Sequence, residues 1–311
     1  MALISPSDVT FSLVPETVAG VLPTTGATRY EIPAKADQSV GAFTANEIAS
    51  NTKRPGRAGN GMRRGMVTGT GSLEARLQAA PVFYTLMESA LSGKFTTTGT
   101  KTLKAGLTDS TFSVLSLLQS GAAGAAMLDV ASGCMVNKMT ISGKFSDEVN
   151  ISFDYLATAN SQLTTDSTLT TATLPAAAYE FAGSEVGAIA VAGNTTIQFT
   201  EFSLEITQDR VARGKLGTNA SIGIGTNGVR TVKLTLKAYR ESFAVDALLT
   251  GLAQAFSFNI GAVGNGIGVS IPAGFASMPT TEFDSESAFV NIEVTAGYDG
   301  TQATDLVITQ L

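Results

Sequence analysis

Most of this chain alternates between apolar and polar positions. In VTGTGSLEARL (67–77), Val67, Leu73, Ala75 and Leu77 share one parity, and Thr68, Thr70, Ser72, Glu74 and Arg76 share the other. VKLTLKAY (232–239) sets Val232, Leu234, Leu236 and Ala238 against Lys233, Thr235, Lys237 and Tyr239. EVNISFDY (148–155) sets Val149, Ile151, Phe153 and Tyr155 against Asn150, Ser152 and Asp154. A period of two sends successive side chains to opposite faces, so these segments predict half-buried strands of antiparallel sheets.

Two stretches follow a helical period instead. In PVFYTLMESALSGKF (81–95), Val82, Phe83, Leu86, Met87, Ala90 and Leu91 form one stripe, Pro81 suits the first turn, and Gly93 suits the C-terminal cap. In SFAVDALLTGLAQAF (242–256), Phe243, Leu248, Leu249, Leu252 and Phe256 form another. One amphipathic helix is expected in each half of the chain.

The halves also resemble each other. GSLEARLQAAPVFYTLMESALSGKF (71–95) and VKLTLKAYRESFAVDALLTGLAQAF (232–256) both read strand, break, helix, Phe. At an offset of 161, Leu73 meets Leu234, Arg76 meets Lys237, Leu91 meets Leu252 and Phe95 meets Phe256. VNISFDY (149–155) has a counterpart in VNIEVTA (290–296), and each follows a methionine-led polar strand, MTISGKFS (139–146) or MPTTEFDS (278–285). This pattern predicts a tandem duplication: a first domain over 1–165, a linker at about 166–178 rich in Thr and Ala, and a diverged second domain over 179–311. The expected fold class is mainly β, with two tandem β-sandwich or barrel domains, each with one flanking α-helix.

Composition narrows the chemistry. The 311 residues include 44% hydrophobic and only 15% charged ones, less charge than a free monomer usually displays, so much of the surface is expected to be covered. Net charge is −6, unlike that of a general DNA binder. Histidine is absent, which excludes Ser-His-Asp triads, histidine zinc sites and imidazole catalysis. The single cysteine, Cys134, excludes an internal disulfide and multi-cysteine metal sites, and reads as a small core residue. No cofactor or metal is expected. The stretch MALISPSDVTFSLVP has no basic n-region or apolar h-region, and nothing approaches the ~18 apolar residues of a membrane helix. The expectation is a soluble chain made in a cytoplasm, with no membrane partner.

Several motifs fail in context. GIGTNG (223–228) spells a dinucleotide fingerprint, but the strand VRTVKLTLKAY follows where a helix would be needed, so a hairpin turn with Asn227-Gly228 at its tip is expected. The sequons NTT (194–196) and NAS (219–221) carry little without secretion. The carboxylates Asp109, Asp147, Glu148, Glu201, Glu205, Asp284 and Glu286 are scattered over strand faces and turns, where solvated charges are the simpler reading.

One segment remains. Between 40 and 66 the chain loses its periodicity, and NTKRPGRAGNGMRRG (51–65) gathers Lys53, Arg54, Arg57, Arg63 and Arg64, with no acid between Glu47 and Glu74. A loop this long is usually functional or disordered, and it has no Walker-type ending. An arm that folds onto a partner, its arginines meeting carboxylates of an otherwise acidic surface, is the preferred reading.

The order of these features resembles the major tail tube proteins of long-tailed, non-contractile bacteriophages. The likeness rests on the long loop around NEIASNTKRPGRAGNG, then GSLEARL running into VFYTLMESALSGKF, then LKAGLTDSTFSVLSLL, GCMVNKMTISGKF and VNISFDYLA. It covers 1–160, with a weaker echo in 195–311. The resemblance implies a structural virion protein without catalysis, located in the tail and assembled in the host cytoplasm. Its rings would stack into a hollow tube through which DNA passes without sequence-specific contact. It also implies six-fold or pseudo-six-fold rings, and the duplication favours three chains per ring. Lys53, Arg54, Arg57, Arg63 and Arg64 would then belong to a loop reaching a neighbouring subunit or ring. Tape-measure, tail terminator and distal tail proteins would be partners. Thr68, Thr70, Ser72, Glu74, Asn150, Ser152 and Asp154 are candidate lumen-facing residues, because a polar, small and net negative wall repels the phosphate backbone and leaves DNA mobile.

Three other classes compete. A virion adhesin or other binding module would bring exposed aromatic platforms, yet there is no Trp. A carboxylate hydrolase needs two acids facing each other in a cleft. A DNA-binding virion protein would use the basic segment and bind duplex in a salt-sensitive way.

Overall fold

The computed structural model describes residues 9–33, 41–50, 61–119, 127–166, 168–174, 180–241, 245–246, 251–284 and 287–311. The first half carries β1 (Thr10–Pro15), β2 (Thr28–Ile32), β3 (Ala42–Ala49), β4 (Met62–Arg76), helix α1 (Pro81–Leu91), β5 (Thr102–Lys104), β6 (Phe112–Gln119), β7 (Met127–Lys144), β8 (Asn150–Ala157) and β9 (Ala159–Leu163). After β10 (Thr170–Ala172) and β11 (Ala190–Val191), the second half carries β12 (Phe199–Thr207), β13 (Arg210–Arg213), β14 (Gly223–Thr226), β15 (Thr231–Tyr239), β16 (Gln254–Ala262), β17 (Asn265–Ala276), β18 (Thr280–Phe283), β19 (Ala288–Ala296) and β20 (Val307–Gln310). The chain is mainly β, as its alternation predicts.

The strands join one large sheet in the order β3–β4–β8–β7–β12–β15–β19, with β18 and the end of β17 sharing the far edge of β19. All of these pairs are antiparallel. β7 is long enough to serve two layers. Its first part pairs with β6 and β9, and its second part pairs with β8 and β12. β17 behaves alike, pairing with β16 and β20 before its end reaches β19. The sheet folds over without closing, so the barrel half of the expected fold class is not realised within one chain.

Register follows the sequence repeat. Leu73 faces Phe153 and Ala75 faces Ile151. Leu234 faces Val294 and Leu236 faces Ile292. Offsets of 161 on the first strand and 141 on the second convert each pair of one half into a pair of the other. The third strand obeys less strictly: Ser142 faces Asn150, and Thr280 faces Asn291, where the sequence match of MTISGKFS to MPTTEFDS would put Thr281.

The apolar parity of these strands is buried, with Leu73, Ile141, Ile151, Leu204, Leu234, Leu236 and Ile292 in one continuous core. Burying such side chains contributes about 1.5–3 kcal/mol each, the main term holding the layers together. α1 closes this core in the first half, its stripe of Val82, Phe83, Leu86, Met87, Ala90 and Leu91 fully buried. Pro81 starts it, where a missing N–H costs nothing. The left-handed residue that ends it is Ser92 (φ 49), not Gly93. Gly93 serves a different need: a Cβ there would lie 2.2 Å from the Lys104 carbonyl oxygen.

Other expectations change. Of the second helix, 242–256, residues 242–244 and 247–250 lie outside the described residues, and Gln254–Phe256 begin strand β16. The flanks of the supposed 40–66 loop are strands, because β3 and β4 pair from Ala42–Thr70 out to Ala49–Met62. Asn227-Gly228 is no hairpin tip. It is a jog between β14 and β15, where Asn227 N–H still donates to Asp209 O. Within the expected linker, β10 adds in parallel to β2.

Candidate assembly surfaces

Because the apolar parity turns inward, the polar parity of the large sheet forms one continuous face. Two rows cross six strands: Arg76, Asn150, Ser142, Ser203, Thr235 and Glu293, and beside it Glu74, Ser152, Thr140, Glu205, Lys233 and Thr295. This face is hollowed, with a concavity of about 400 Å³ where Ser142, Asn150, Glu201, Ser203, Lys237 and Asn291 meet.

Its charges interlock. Glu201 lies opposite Lys144 on one side and Lys237 on the other, and Glu205 sits opposite Lys233 on its second side. Lys144 reaches Glu201 at 3.1 Å, Lys138 reaches Glu205 at 2.7 Å, and Lys237 reaches Glu282 at 3.8 Å while lying 4.5 Å over the Phe289 ring. Arg76 holds Glu180 at 2.8 Å and also pairs with Glu148. The Lys138 hydrogen bond holds the Glu205 carboxyl below its ordinary range, against a smaller opposing effect of burial. Arg76, Lys138, Lys144, Lys233 and Lys237 stand against Glu74, Glu148, Asp154, Glu180, Glu201, Glu205, Glu282 and Glu293, so the face is net negative.

Five of the seven residues singled out from sequence for this role fall together on it: Ser72 faces Asp154, Glu74 faces Ser152, and Asn150 faces Arg76. Thr68 and Thr70 lie further along β4, opposite Thr44 and Ala42 of β3. The rest of this face lies on β7, β12, β15 and β19, outside the seven candidates. A signal was present, since Glu201 and Glu205 in EFSLE share the four-residue spacing of Lys233 and Lys237 in KLTLK, which antiparallel pairing converts into opposed charges.

Of the basic segment, Lys53, Arg54 and Arg57 lie outside the described residues. Arg63 and Arg64 are exposed at the outer end of β4, paired across to Ile48 and Glu47 of β3. This two-stranded ribbon has a relative in the second half, where β13 pairs with β14 and lies folded against the first half. Gln208 Nε2 donates to Ala90 O at 2.7 Å. Arg210, fully buried, donates to Val136 O at 2.5 Å, Ser92 Oγ at 2.8 Å and Asp109 at 2.9 Å. Burial pulls the guanidinium pKa down, and Asp109 opposes that pull.

The carboxylates that a hydrolase would need are engaged elsewhere: Asp109 with Arg210, Glu148 with Arg76, Glu201 with Lys144 and Glu205 with Lys138. Asp147 accepts the Glu148 N–H, and Asp284 N–H donates to Ser287 O; Glu286 lies outside the described residues. Among the described residues no cluster of three or more acidic or thiol groups could hold a metal, and no helix is long and apolar enough to cross a membrane. Cys134 is buried, which pushes its thiol pKa well up.

A polar face of this size, built from two side-by-side strand sets with an open edge at either end, agrees with the family comparison. The model of the phage tail tube protein family matches residues 6–304. The chain belongs to that family. It is therefore a structural phage tail protein, and the match spans both of its strand sets rather than the first alone. No curated protein matches the chain.

Proposed function

We propose that this tail tube chain assembles with copies of itself into rings, three chains to a ring, and that the rings stack into the hollow tube of a virion tail. The observation that carries this is the junction inside the chain. β7, at the edge of the first strand set, pairs with β12, at the edge of the second, from Lys144–Glu201 to Lys138–Thr207. The outer edges of the same sheet, at β18 and on the β3–β4 side, are the counterparts of those two strands. Repeating the junction between chains would remove the exposed edges and close a barrel of six strand sets around the concave polar face. The matched registers of the two halves support their reading as duplicated domains. Stacking is a head-to-tail contact, which propagates instead of closing.

DNA would then pass along a net negative wall whose cations are largely engaged by glutamates, leaving few free cations to grip phosphate. The wall needs no catalysis. Tape-measure, terminator and distal tail proteins would meet the tube at its interior and ends.

Negative-stain electron microscopy tests this on the parent chain and on a variant with Lys53, Arg54, Arg57, Arg63 and Arg64 changed to Ser. Rings or tubes from the parent, with stacking or ring closure weakened in the variant, are expected. A monomeric parent that binds duplex DNA or a glycan tightly would overturn the reading.

A further inference from the structure

The two ribbons hold matching places in their halves, yet the outer end of the first is unseated. Glu47 opposes Arg64 and Ala49 opposes Met62 in the first. Arg210 opposes Thr226 and Arg213 opposes Gly223 in the second. The offset of 161 between β4 and β15 extends outward to set Gly223 in the place of Met62 and Ile224 in that of Arg63. The second ribbon lies on the first half through Gln208 and Arg210, and its Ile222, Gly223 and Ile224 share a concavity of about 490 Å³ with Met135 and Thr158. The first ribbon is held only near its base, where Val67 N–H donates to Asn219 O of the second ribbon's tip and Met66 lies beside Gly214; its outer end is bare, with Ile48 61% and Met62 62% exposed and Arg63 and Arg64 exposed beside them.

The seat has its own counterpart in the second half. At the offset of 141, Gly297, Tyr298 and Asp299 stand for Leu156, Ala157 and Thr158. Gly297 N–H donates to Ala273 O, in the place where Leu156 pairs with Met135. Ala157 is fully buried, whereas Tyr298 is 72% exposed. Phe275, half-exposed, lies against Gly297, and a cleft of about 910 Å³ runs from Gly297 and Tyr298 to the exposed Leu107 and Val229. The cleft is mixed in character: Leu107, Val229 and Tyr298 share it with Asp109, Arg230 and Asp305.

We infer that this cleft seats the first ribbon of a second copy of the chain, with Ile48 and Met62 against Tyr298, Leu107 and Val229. The ribbon of the same chain is badly placed for it. β4 and β19 are separated by β8, β7, β12 and β15, five inter-strand steps or about 24 Å, and the ribbon runs along the strands rather than across them. The inference rests on the ring reading above and on the equivalence of the two halves, and it adds the receiving surface.

The test uses the full-length chain in two single variants, Met62→Cys and Tyr298→Cys. The native Cys134 is buried and does not compete. The variants are mixed, allowed to assemble, oxidised and run on a non-reducing gel, with the same sample viewed by electron microscopy. A disulfide forms only where the two positions come within about 7 Å between Cα atoms. A heterodimer band from the mixture is expected, with none from Met62→Cys mixed with Leu216→Cys, a fully exposed position at the tip of the second ribbon. Rings or tubes without the heterodimer would overturn the seat and leave the ring reading standing. Where the mixture forms no rings although the parent does, the pair Ile48→Cys and Val229→Cys is used instead, and rings of that pair without a heterodimer would overturn the seat. A parent chain that forms no rings would overturn both.

Discussion

Arg210 Nη2 lies 2.9 Å from the Asp109 carboxylate, joining residues 101 positions apart and thereby the two halves of the chain. The Arg210 side chain has no exposed surface, while that of Asp109 is 41% exposed. Removing the guanidinium strands Val136 O beneath the ribbon, while Ser92 Oγ keeps its bond to Asp109; removing Asp109 leaves the buried guanidinium without a counter-charge. Arg210→Ala and Asp109→Ala are therefore each expected to cost about 3 kcal/mol in a urea titration. A negligible cost for Asp109→Ala would mean that the buried hydrogen bonds, rather than the ion pair, seat the ribbon.

Gly71 predicts a packing effect. A Cβ there would fall 2.2 Å from Tyr155 Cζ, and Tyr155 is itself held edge-on to Phe112 at 5.9 Å. Gly71→Ala is expected to destabilise by about 1–3 kcal/mol. Tyr155→Leu is destabilising alone but relieves the clash, so the double variant should cost less than the sum of the two. Additive costs would show that the ring moves aside freely.

Tyr84 gives a pH signature. Burial pushes its phenol pKa up to about 12 from the ordinary 10.0. Between those values the unfolded chain has released the proton and the folded chain has not. The associated stability is therefore fully present below pH 10 and is lost as pH rises towards 12. The fall in melting temperature over that window should be shallower in Tyr84→Phe, and phenolate absorbance of the native protein should show Tyr84 lagging together with the more deeply buried Tyr155. Identical profiles for parent and variant would place Tyr84 in water.

The interlocked charges of the polar face make a binding prediction. Glu201→Gln, Glu205→Gln and Glu282→Gln together release Lys144, Lys138 and Lys237. The triple variant should gain salt-dependent affinity for duplex DNA, with a log–log slope steeper than the parent's by up to about 3. Its thermal stability should fall only slightly, because such exposed pairs contribute about 0–1 kcal/mol each. Unchanged DNA binding would mean that the glutamates do not mask the lysines.

The strands of the polar face were legible because period-two alternation fixes both element and face, as Leu73 and Glu74 show on β4 and Leu234 and Lys233 on β15. The sequence likeness of the two halves has a counterpart in register, which matches to the residue on β4–β8 and β15–β19 and slips by one on β18. Sequence reasoning failed where local and tertiary demands diverge. Ser92 adopts the left-handed turn that Gly93 seemed made for, because the backbone of Lys104 crowds Gly93 and fixes it to a different task. Leu252 and Phe256 keep helical spacing with Leu248 and Leu249, yet Phe256 is drawn into a strand by pairing with Ile271. Arg210 carried no local signal at all, since its partners are 74 to 118 positions away in the chain.

The most direct test of the central claim is a cryo-electron microscopy map of the assembled tube. The account predicts three chains per ring and a lumen lined by Ser142, Ser203, Thr235, Glu201 and Glu205, with the β7–β12 pairing repeated between chains. A ring of six chains, or a tube with this face turned outward, would contradict it.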